Sequence, residues 1–403
     1  MKNIIFLLML FGVSVQSYCQ IKTLSVVCSD SVLMSIKGTY EPLNNIIAPG
    51  TGSLLSAVQQ QEVIGKLDAV HQMLLSAYPV PTGFEASWWK FLNPGSFAAE
   101  LDLQNGIPVC TYGYKVNFNS YACVQNGAKD LFCCEPGTST FEVTVNNLEY
   151  FGHSALAKDQ ITINGLRVFM RNPVKGTWKG YELVHEGEVE STKRIVLLHR
   201  SGELPYIPVT RKQYLEFCIN YLNSFFDEQI NGMNLFPVRS LEEQEALKRK
   251  SLDKIDADYA KNPKQRDIIR KNFLDTYKTD QQKRDETVQK MVDNKKEVLK
   301  RYEDQMENTK ASNLLDSPAT IMEVATVHPD VPIFAPEEKN GQMLYTHNPV
   351  YIRKNLPKSV AQFIVVRWTW SDYLPVGGAA GMNFRKLLEE NFPIEKLQSM
   401  IDK

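Results

Sequence analysis

The chain has 403 residues, and 43% of them are hydrophobic, so it can form a substantial core and, at this length, two or three domains. Its 45 Lys and Arg nearly balance its 46 Asp and Glu, and the net charge of −1 argues against a strongly basic nucleic-acid-binding protein. After the first residues no apolar run approaches the roughly 20 residues that cross a bilayer, so no transmembrane segment is expected.

The first residues have the order of a secretory signal peptide. Lys2 supplies a positive charge, an apolar run of about ten residues follows at 4–13, and small and polar residues come next. We therefore expect residues 1–19 to be removed and the remaining chain to be periplasmic or extracellular. A lipid-modified Cys19 is the minority alternative, because the residue before a lipidated cysteine is normally small and here it is not.

Cysteines outside the signal peptide predict disulfides. Of the seven cysteines, six remain after Cys19 is removed, and an even number in an exported chain permits bridges. Four of them lie in a short stretch rich in Asn, Gly and Tyr, namely Cys110, Cys123, Cys133 and Cys134. We expect one or two disulfides among these four, while the pairing stays open. Cys218, on the apolar face of a predicted helix, is expected to be a buried free thiol.

The first half of the chain reads as one helix followed by strands. Apolar residues at three- and four-residue steps predict a helix over 53–78, and Pro79 ends it. Residues 84–210 are predicted to be mainly antiparallel β-structure. Asn105-Gly106 and Asn164-Gly165 predict hairpins, because Asn-Gly suits the positive φ angles of a type I′ turn.

Charged helices follow the β region. Thr210 with Gln213, and Ser240 with Glu243, form capping boxes that predict two helix starts. Residues 288–306 have heptad spacing over fewer than three heptads, so we expect an arm that packs on a neighbour and not a coiled coil. The charged stripe of this arm is interpreted as a solvated face and not as a binding site.

The predicted fold is α+β and has three parts after the signal peptide. A helix and a disulfide-tied antiparallel β region occupy 20–238, a charged helical arm covers 239–312, and a small α+β unit closes the chain at 313–403. Within the last unit, 360–370 is the clearest strand, and the glycine-rich segment 377–381 is predicted to be a turn or loop.

Recognisable catalytic and metal-binding motifs are missing from the sequence. It contains no phosphate-binding loop, no His-Glu-x-x-His and no Gly-x-Ser-x-Gly, so neither a metal nor a cofactor is predicted. The best acid–base set is His185 and His199, which could face each other across a hairpin with Glu182 nearby. A surface histidine pair is the plainer interpretation, because nothing in the sequence fixes the register.

Trp88 and Trp89 form the most prominent aromatic pair. If exposed, they could stack on sugar rings or bind a partner protein. If buried, they would fill the core beneath the first helix, and this is the interpretation we favour because aromatic area usually contributes to packing.

Three stretches resemble exported proteins of the Bacteroidota that have no assigned activity. They are YPVPTGFEASWW at 78–89, LPYIPVTRKQYL at 204–215 and NPVYIRKNLPKSVAQF at 348–363. The resemblance implies export, and it supplies no activity, cofactor or catalytic residue.

The sequence favours a non-enzymatic binding or assembly protein of the cell envelope, with a protein or glycan partner and no nucleic acid. The alternative is a secreted hydrolase whose site is assembled from distant residues, with His185, His199 and Glu182 as acid–base groups and Trp88 and Trp89 as the substrate platform. Self-association through the helical arm is a third option.

Overall fold

The computed structural model is α+β, as the sequence predicts. It describes residues 25–26, 30–43, 55–92, 110–124, 131–148, 151–154, 162–163, 165–171, 174–184, 192–322, 331–339, 341–372 and 378–403. The predicted signal peptide and the Asn105-Gly106 hairpin lie outside these residues.

The strands of the described residues are short except where they form the centre of a sheet. In chain order they are β1 (Ser25–Val26), β2 (Tyr40–Pro42), β3 (Phe84–Leu92), β4 (Tyr112–Val124), β5 (Leu131–Val145), β6 (Gly152–Ser154), β7 (Thr162–Ile163), β8 (Leu166–Arg171), β9 (Val174–Trp178), β10 (Tyr181–Val184), β11 (Lys193–Leu198), β12 (Tyr206–Pro208), β13 (Thr320–Ile321), β14 (Gln342–His347) and β15 (Ile364–Thr369).

The helices lie mainly between β12 and β13 and at the two ends of the described chain. They are α1 (Asp30–Ser35), α2 (Ala57–Ala77), α3 (Arg211–Leu235), α4 (Leu241–Asp258), α5 (Pro263–Thr276), α6 (Asp280–Ala311), α7 (Gly378–Asn391) and α8 (Ile394–Gln398). The predicted capping boxes at Thr210 and Ser240 are confirmed, since each side chain accepts from the third residue of its helix, which bonds back to the cap.

The strands form two sheets. The larger has the order β2-β3-β4-β5-β15-β11-β10-β9, with β1 beside β4, and of its described pairs β2–β3 alone is parallel. The smaller has the order β12-β14-β8-β6, with β13 beside β14 and β7 beside β8. Ile163 pairs with Leu166, which confirms the hairpin predicted at Asn164-Gly165, and Gly165 has the left-handed φ of 77° that the turn requires.

Three apolar clusters connect four layers, which are a group of helices, the larger sheet, the smaller sheet and a second group of helices. Helices α2, α7 and α8 pack on one face of the larger sheet, where alternate β15 residues Ile364, Val366 and Trp368 are buried. On the opposite face Val365 packs with β11 and with the smaller sheet. The far face of the smaller sheet is covered by α3 and α6, with Tyr302 of α6 in the same cluster as the side chains of α3. The predicted packing of the heptad segment on a neighbouring helix is therefore observed.

The last part of the chain does not form a separate sheet. Strand β15 pairs with β5 on one side and with β11 on the other, and β14 is central to the smaller sheet. Because both sheets need strands from this part, the predicted small α+β unit at 313–403 is instead integrated with the β region.

The glycine-rich segment begins a helix and is not the predicted loop. Helix α7 starts at Gly378, and Gly381 lies in its first turn. A Cβ atom at Gly381 would overlap the carbonyl oxygen of Ser371, so glycine at this position permits a close backbone approach. Glycine is therefore present for packing, which its propensity for turns does not reveal.

The predicted disulfides are not supported. No two described cysteines lie at disulfide distance. Cys123 is paired in register with Leu131, and Cys133 with Tyr121, so the β4–β5 ladder does not place these two cysteines opposite each other. Cys110 is buried, with its thiol donating to the carbonyl oxygen of Thr111 at 3.5 Å. Burial accounts for its presence without a bridge.

The buried side chain of Arg200 binds Asp402, near the end of helix α8. Arg200 is 8% exposed, and its guanidinium donates twice to Asp402, from Nε and Nη2, at 2.6 Å each. It also donates to the backbone oxygen of Tyr351 at 2.6 Å and to the Gln362 side chain at 2.9 Å. The hydrogen bond from Arg200 holds the pKa of the Asp402 carboxyl below its usual range.

We predict that Asp402→Asn lowers the free energy of unfolding by roughly 2–3 kcal/mol near pH 7, because buried Arg200 loses the carboxylate that accepts two of its hydrogen bonds and keeps only the longer ion pair with Glu203 at 3.8 Å. A carboxyl whose pKa is lowered in the folded state stabilises the fold at pH values above the ordinary Asp pKa of about 3.9. This contribution is lost as the pH falls through the pKa that the carboxyl has in the folded state. Urea unfolding near pH 7 and near pH 3 measures both effects. Asp316→Asn, at an exposed residue outside every described ion pair, is the control, and an equal loss of stability in it would contradict the prediction.

Candidate functional site

Two of the three predicted acid–base residues border one cavity. Glu182 lies on β10, His199 follows β11, and both line a cavity of about 490 Å³ where the edge of the larger sheet meets β8 and β12. His185 lies outside the described residues. The hairpin register pairs Leu183 with Val196 and Val184 with Ile195. The facing of His185 and His199 across the hairpin stays a prediction.

The polar wall of the cavity is built from three parts of the fold. Arg171 ends β8 and Tyr206 begins β12 in the smaller sheet, Glu182 and His199 come from the β10–β11 hairpin, and Gln398 ends α8. The hairpin of the larger sheet faces two strands of the smaller one and the end of α8, so residues as distant in sequence as Phe151 and Gln398 meet at one cavity.

Arg171 is the cationic group of this wall. Its Nη1 donates to the Tyr206 hydroxyl at 3.0 Å and lies 3.6 Å from a Glu182 carboxylate oxygen. Burial lowers the pKa of Arg171, but the Tyr206 hydrogen bond and the nearby Glu182 raise it by more, so the guanidinium stays charged. Burial also raises the pKa of Tyr206, whose hydroxyl therefore remains protonated. The wall presents a fixed positive charge beside a neutral hydroxyl.

His199 is oriented by the backbone. Its Nδ1 lies 2.8 Å from the carbonyl oxygen of Arg200, which can only accept, so Nδ1 carries the hydrogen and Nε2 of the neutral ring is an acceptor. The Gln398 side chain donates to the carbonyl oxygen of His199 at 2.9 Å. The Gln398 Oε1 atom is buried without a hydrogen-bond partner.

The remaining wall is apolar. It is formed by Phe151, Tyr181, Leu197 and Leu204. The rings of Phe151 and Tyr206 lie 5.3 Å apart, so the buried aromatic packing between the sheets continues up to the edge of the cavity. Apolar side chains combined with a few fixed polar groups are the usual lining of a small-molecule site.

The hydrogen bonds of the cavity do not form a catalytic triad. Ser201 also lines the cavity and is the only serine, threonine or cysteine among the described lining residues. Among the hydrogen bonds of those residues, none joins His199 to Ser201 or to Glu182, and the Nδ1 of His199 is bonded to a backbone carbonyl. A nucleophile is normally activated by a hydrogen bond to its base, and the described residues show no such bond between Ser201 and His199.

The two tryptophans point to opposite faces of β3 and lie far from the cavity. Trp88 is packed towards α2, with its ring stacked on His71 at 4.3 Å, which agrees with the favoured core interpretation. Trp89 is on the other face, with the Lys115 ammonium 5.6 Å from its ring. Four strands separate β3 from β10, a distance of about 24 Å at the usual spacing. The predicted joint platform for a substrate at Glu182 and His199 is therefore not formed.

A second polar cluster crosses the larger sheet on the face of Trp89. Glu142 is 2% exposed and lies 3.6 Å from Lys115 and 3.7 Å from Arg367, its cross-strand neighbours in register. The two cations compensate the buried carboxylate, and none of the three residues lines the cavity. We therefore attribute this row to stabilisation of the sheet.

The sequence did not predict Arg171, Tyr206 and Gln398 as site residues. Tyr206 lies in the stretch 204–215 that carries the resemblance, and Arg171 ends the strand of the Asn-Gly hairpin. None of the three residues lies in a sequence motif that indicates ligand binding, because the cavity depends on how the two sheets meet.

Within the described ranges, no three His, Cys, Asp or Glu side chains come together in a group that could hold a metal ion. No helix among those residues is both long enough and apolar enough to span a membrane. The chain matches no protein-family model, no curated protein and no solved structure.

The stacked His71–Trp88 pair predicts a pH-dependent fluorescence change. Burial lowers the pKa of His71, whose Nδ1 lies 2.5 Å from the hydroxyl of buried Tyr114. Protonation of His71, at a pH below the ordinary histidine pKa of about 6.5, should quench the fluorescence of Trp88. The free energy of unfolding should decrease as the pH falls from about 6.5 to the pKa of His71 in the folded state, because in this range the unfolded chain binds the proton and the folded chain does not. A fluorescence titration measures this. We expect Trp88→Phe to remove the transition and Trp89→Phe to keep it, and the reverse pattern would contradict the assignment.

Proposed function

We propose that this chain is an exported, non-enzymatic binding protein that takes a small organic ligand in the cavity between its two sheets. The observation that carries the proposal is that Arg171, Tyr206, His199 and Gln398 line one cavity together with the apolar side chains of Phe151, Leu197 and Leu204. At about 490 Å³ the cavity has a volume typical of ligand sites.

Export is part of the proposal and is supported by the order of charged, apolar and small residues at 1–19. The mass of the chain purified from its native envelope tests it. A mature chain that begins at Gln20 is the expected result, and a retained signal sequence or an acylated Cys19 would count against soluble export.

A cavity-filling substitution tests the binding function. Ser201 is exposed and lines the cavity, so we expect Ser201→Trp to occupy it without disturbing the fold. In a thermal-shift screen of small organic compounds, some compounds should raise the melting temperature of the native protein and have no effect on this variant. Ser224→Trp, at an exposed serine of α3, should respond as the native protein does.

The same screen can contradict the proposal. If every compound that stabilises the native protein also stabilises Ser201→Trp, ligands bind elsewhere. If no compound in a chemically broad library affects either protein, the cavity has no small-molecule role.

A secreted hydrolase is the second candidate, and the presence of His199, Glu182 and Ser201 at one cavity favours it. Here His199 would act as general base through Nε2 and Ser201 as nucleophile. A panel of chromogenic esters and glycosides tests this candidate. Turnover that disappears in both His199→Ala and Ser201→Ala would support it, and turnover that survives both, or no turnover by the native protein, would remove it.

A further inference from the structure

The guanidinium of Arg171 has more donors than the protein uses. An arginine side chain carries five N–H groups. Among the described residues Arg171 donates one hydrogen bond, from Nη1 to the Tyr206 hydroxyl at 3.0 Å. Its contact with Glu182, at 3.6 Å, is an ion pair beyond hydrogen-bond distance. A cation at the wall of a cavity therefore keeps most of its directional donors available.

Glu182 is held loosely beside it. The Glu182 side chain is 63% exposed, whereas that of Arg171 is 27% exposed. Ion pairs with one solvent-exposed partner contribute little to stability, so Glu182 can turn into solvent at small cost. The contrast is with Arg200, whose carboxylate partner Asp402 is bonded twice at 2.6 Å. Of these two arginines, Arg171 is the one whose partner can be exchanged.

We propose that the ligand of the cavity is a small carboxylate attached to an apolar ring, and that Glu182 is an internal counter-ion that this carboxylate displaces from Arg171. The inference rests on the proposed binding function and specifies its ligand class. The planar fork of a guanidinium matches a carboxylate with two parallel hydrogen bonds, which the observed Glu182 contact does not make. A ligand carboxylate can therefore form a better pair with Arg171 than the protein itself provides.

The rest of the cavity suits the ring. Phe151, Tyr181, Leu197 and Leu204 line the same cavity and offer it apolar and aromatic surface. The Tyr206 hydroxyl, already bonded to Arg171, can donate its own hydrogen to the second carboxylate oxygen. A ligand with a charged group and an apolar ring therefore matches the two kinds of surface that the cavity contains.

Phenylacetate and its neutral amide, phenylacetamide, are the test probes, because they have nearly the same shape and differ in charge. Isothermal titration should show the native protein binding phenylacetate at least about tenfold more tightly than phenylacetamide, since the charged pair adds hydrogen bonds that the amide lacks. We expect Arg171→Gln to remove this preference. Arg249→Gln, at an exposed arginine on α4, is the matched control and should keep it.

Glu182→Gln is the decisive variant because its expected effect is a gain. Removing the competing carboxylate should strengthen phenylacetate binding by about two- to fivefold and leave phenylacetamide unchanged. Misfolding cannot produce a gain limited to the anionic probe. A loss of phenylacetate affinity in Glu182→Gln would overturn the role of the displaced counter-ion.

The outcomes separate this inference from the function on which it rests. If the native protein binds both probes equally and Ser201→Trp binds neither, the cavity is a binding site but the carboxylate class is wrong. If neither probe binds the native protein at millimolar concentration, the ligand class is also overturned, and the compound screen decides the binding function by itself.

Discussion

The central constraint on this fold is that β15 is buried on both faces. It lies between β5 and β11, with Val366 and Trp368 turned to the helices and Val365 to the smaller sheet. A strand within the last 40 residues thus joins the N-terminal strands to the β9–β11 edge. The cavity depends on it, because the β10–β11 hairpin that carries Glu182 and His199 is attached to the rest of the sheet through β15.

Local features were predictable because they depend on neighbouring residues. The capping boxes at Thr210 and Ser240 and the hairpin at Gly165 each need two to four residues and no tertiary context. The helix that begins at Gly378 was not predicted, because a glycine-rich segment favours a turn and the reason for Gly381, the close approach of the Ser371 backbone, is a tertiary contact. The place of a strand within a sheet is equally hard to predict. The segment around β15 was identified as a strand, but its neighbours β5 and β11 end at Val145 and Leu198, more than 160 residues before β15 begins.

Only part of the candidate site could be predicted from the sequence. Glu182 and His199 were selected together because a hairpin could bring them close, and both line the cavity where that hairpin faces the smaller sheet. Arg171 and Tyr206 gave no signal, since a strand-end arginine and tyrosine are ordinary residues until the smaller sheet places β8 and β12 on either side of β14 and brings the two side chains to 3.0 Å. Adjacent tryptophans in a strand must face opposite sides, so Trp88 and Trp89 could have been excluded as one platform from the strand prediction alone.

The most direct test of the central claim is a crystallographic screen of small organic fragments against the mature protein. The account predicts that bound fragments concentrate in the cavity between the sheets, with their polar end at Arg171 and their ring against Phe151 and Leu197. Fragments scattered over the surface, with the cavity holding water alone at high fragment concentration, would contradict it.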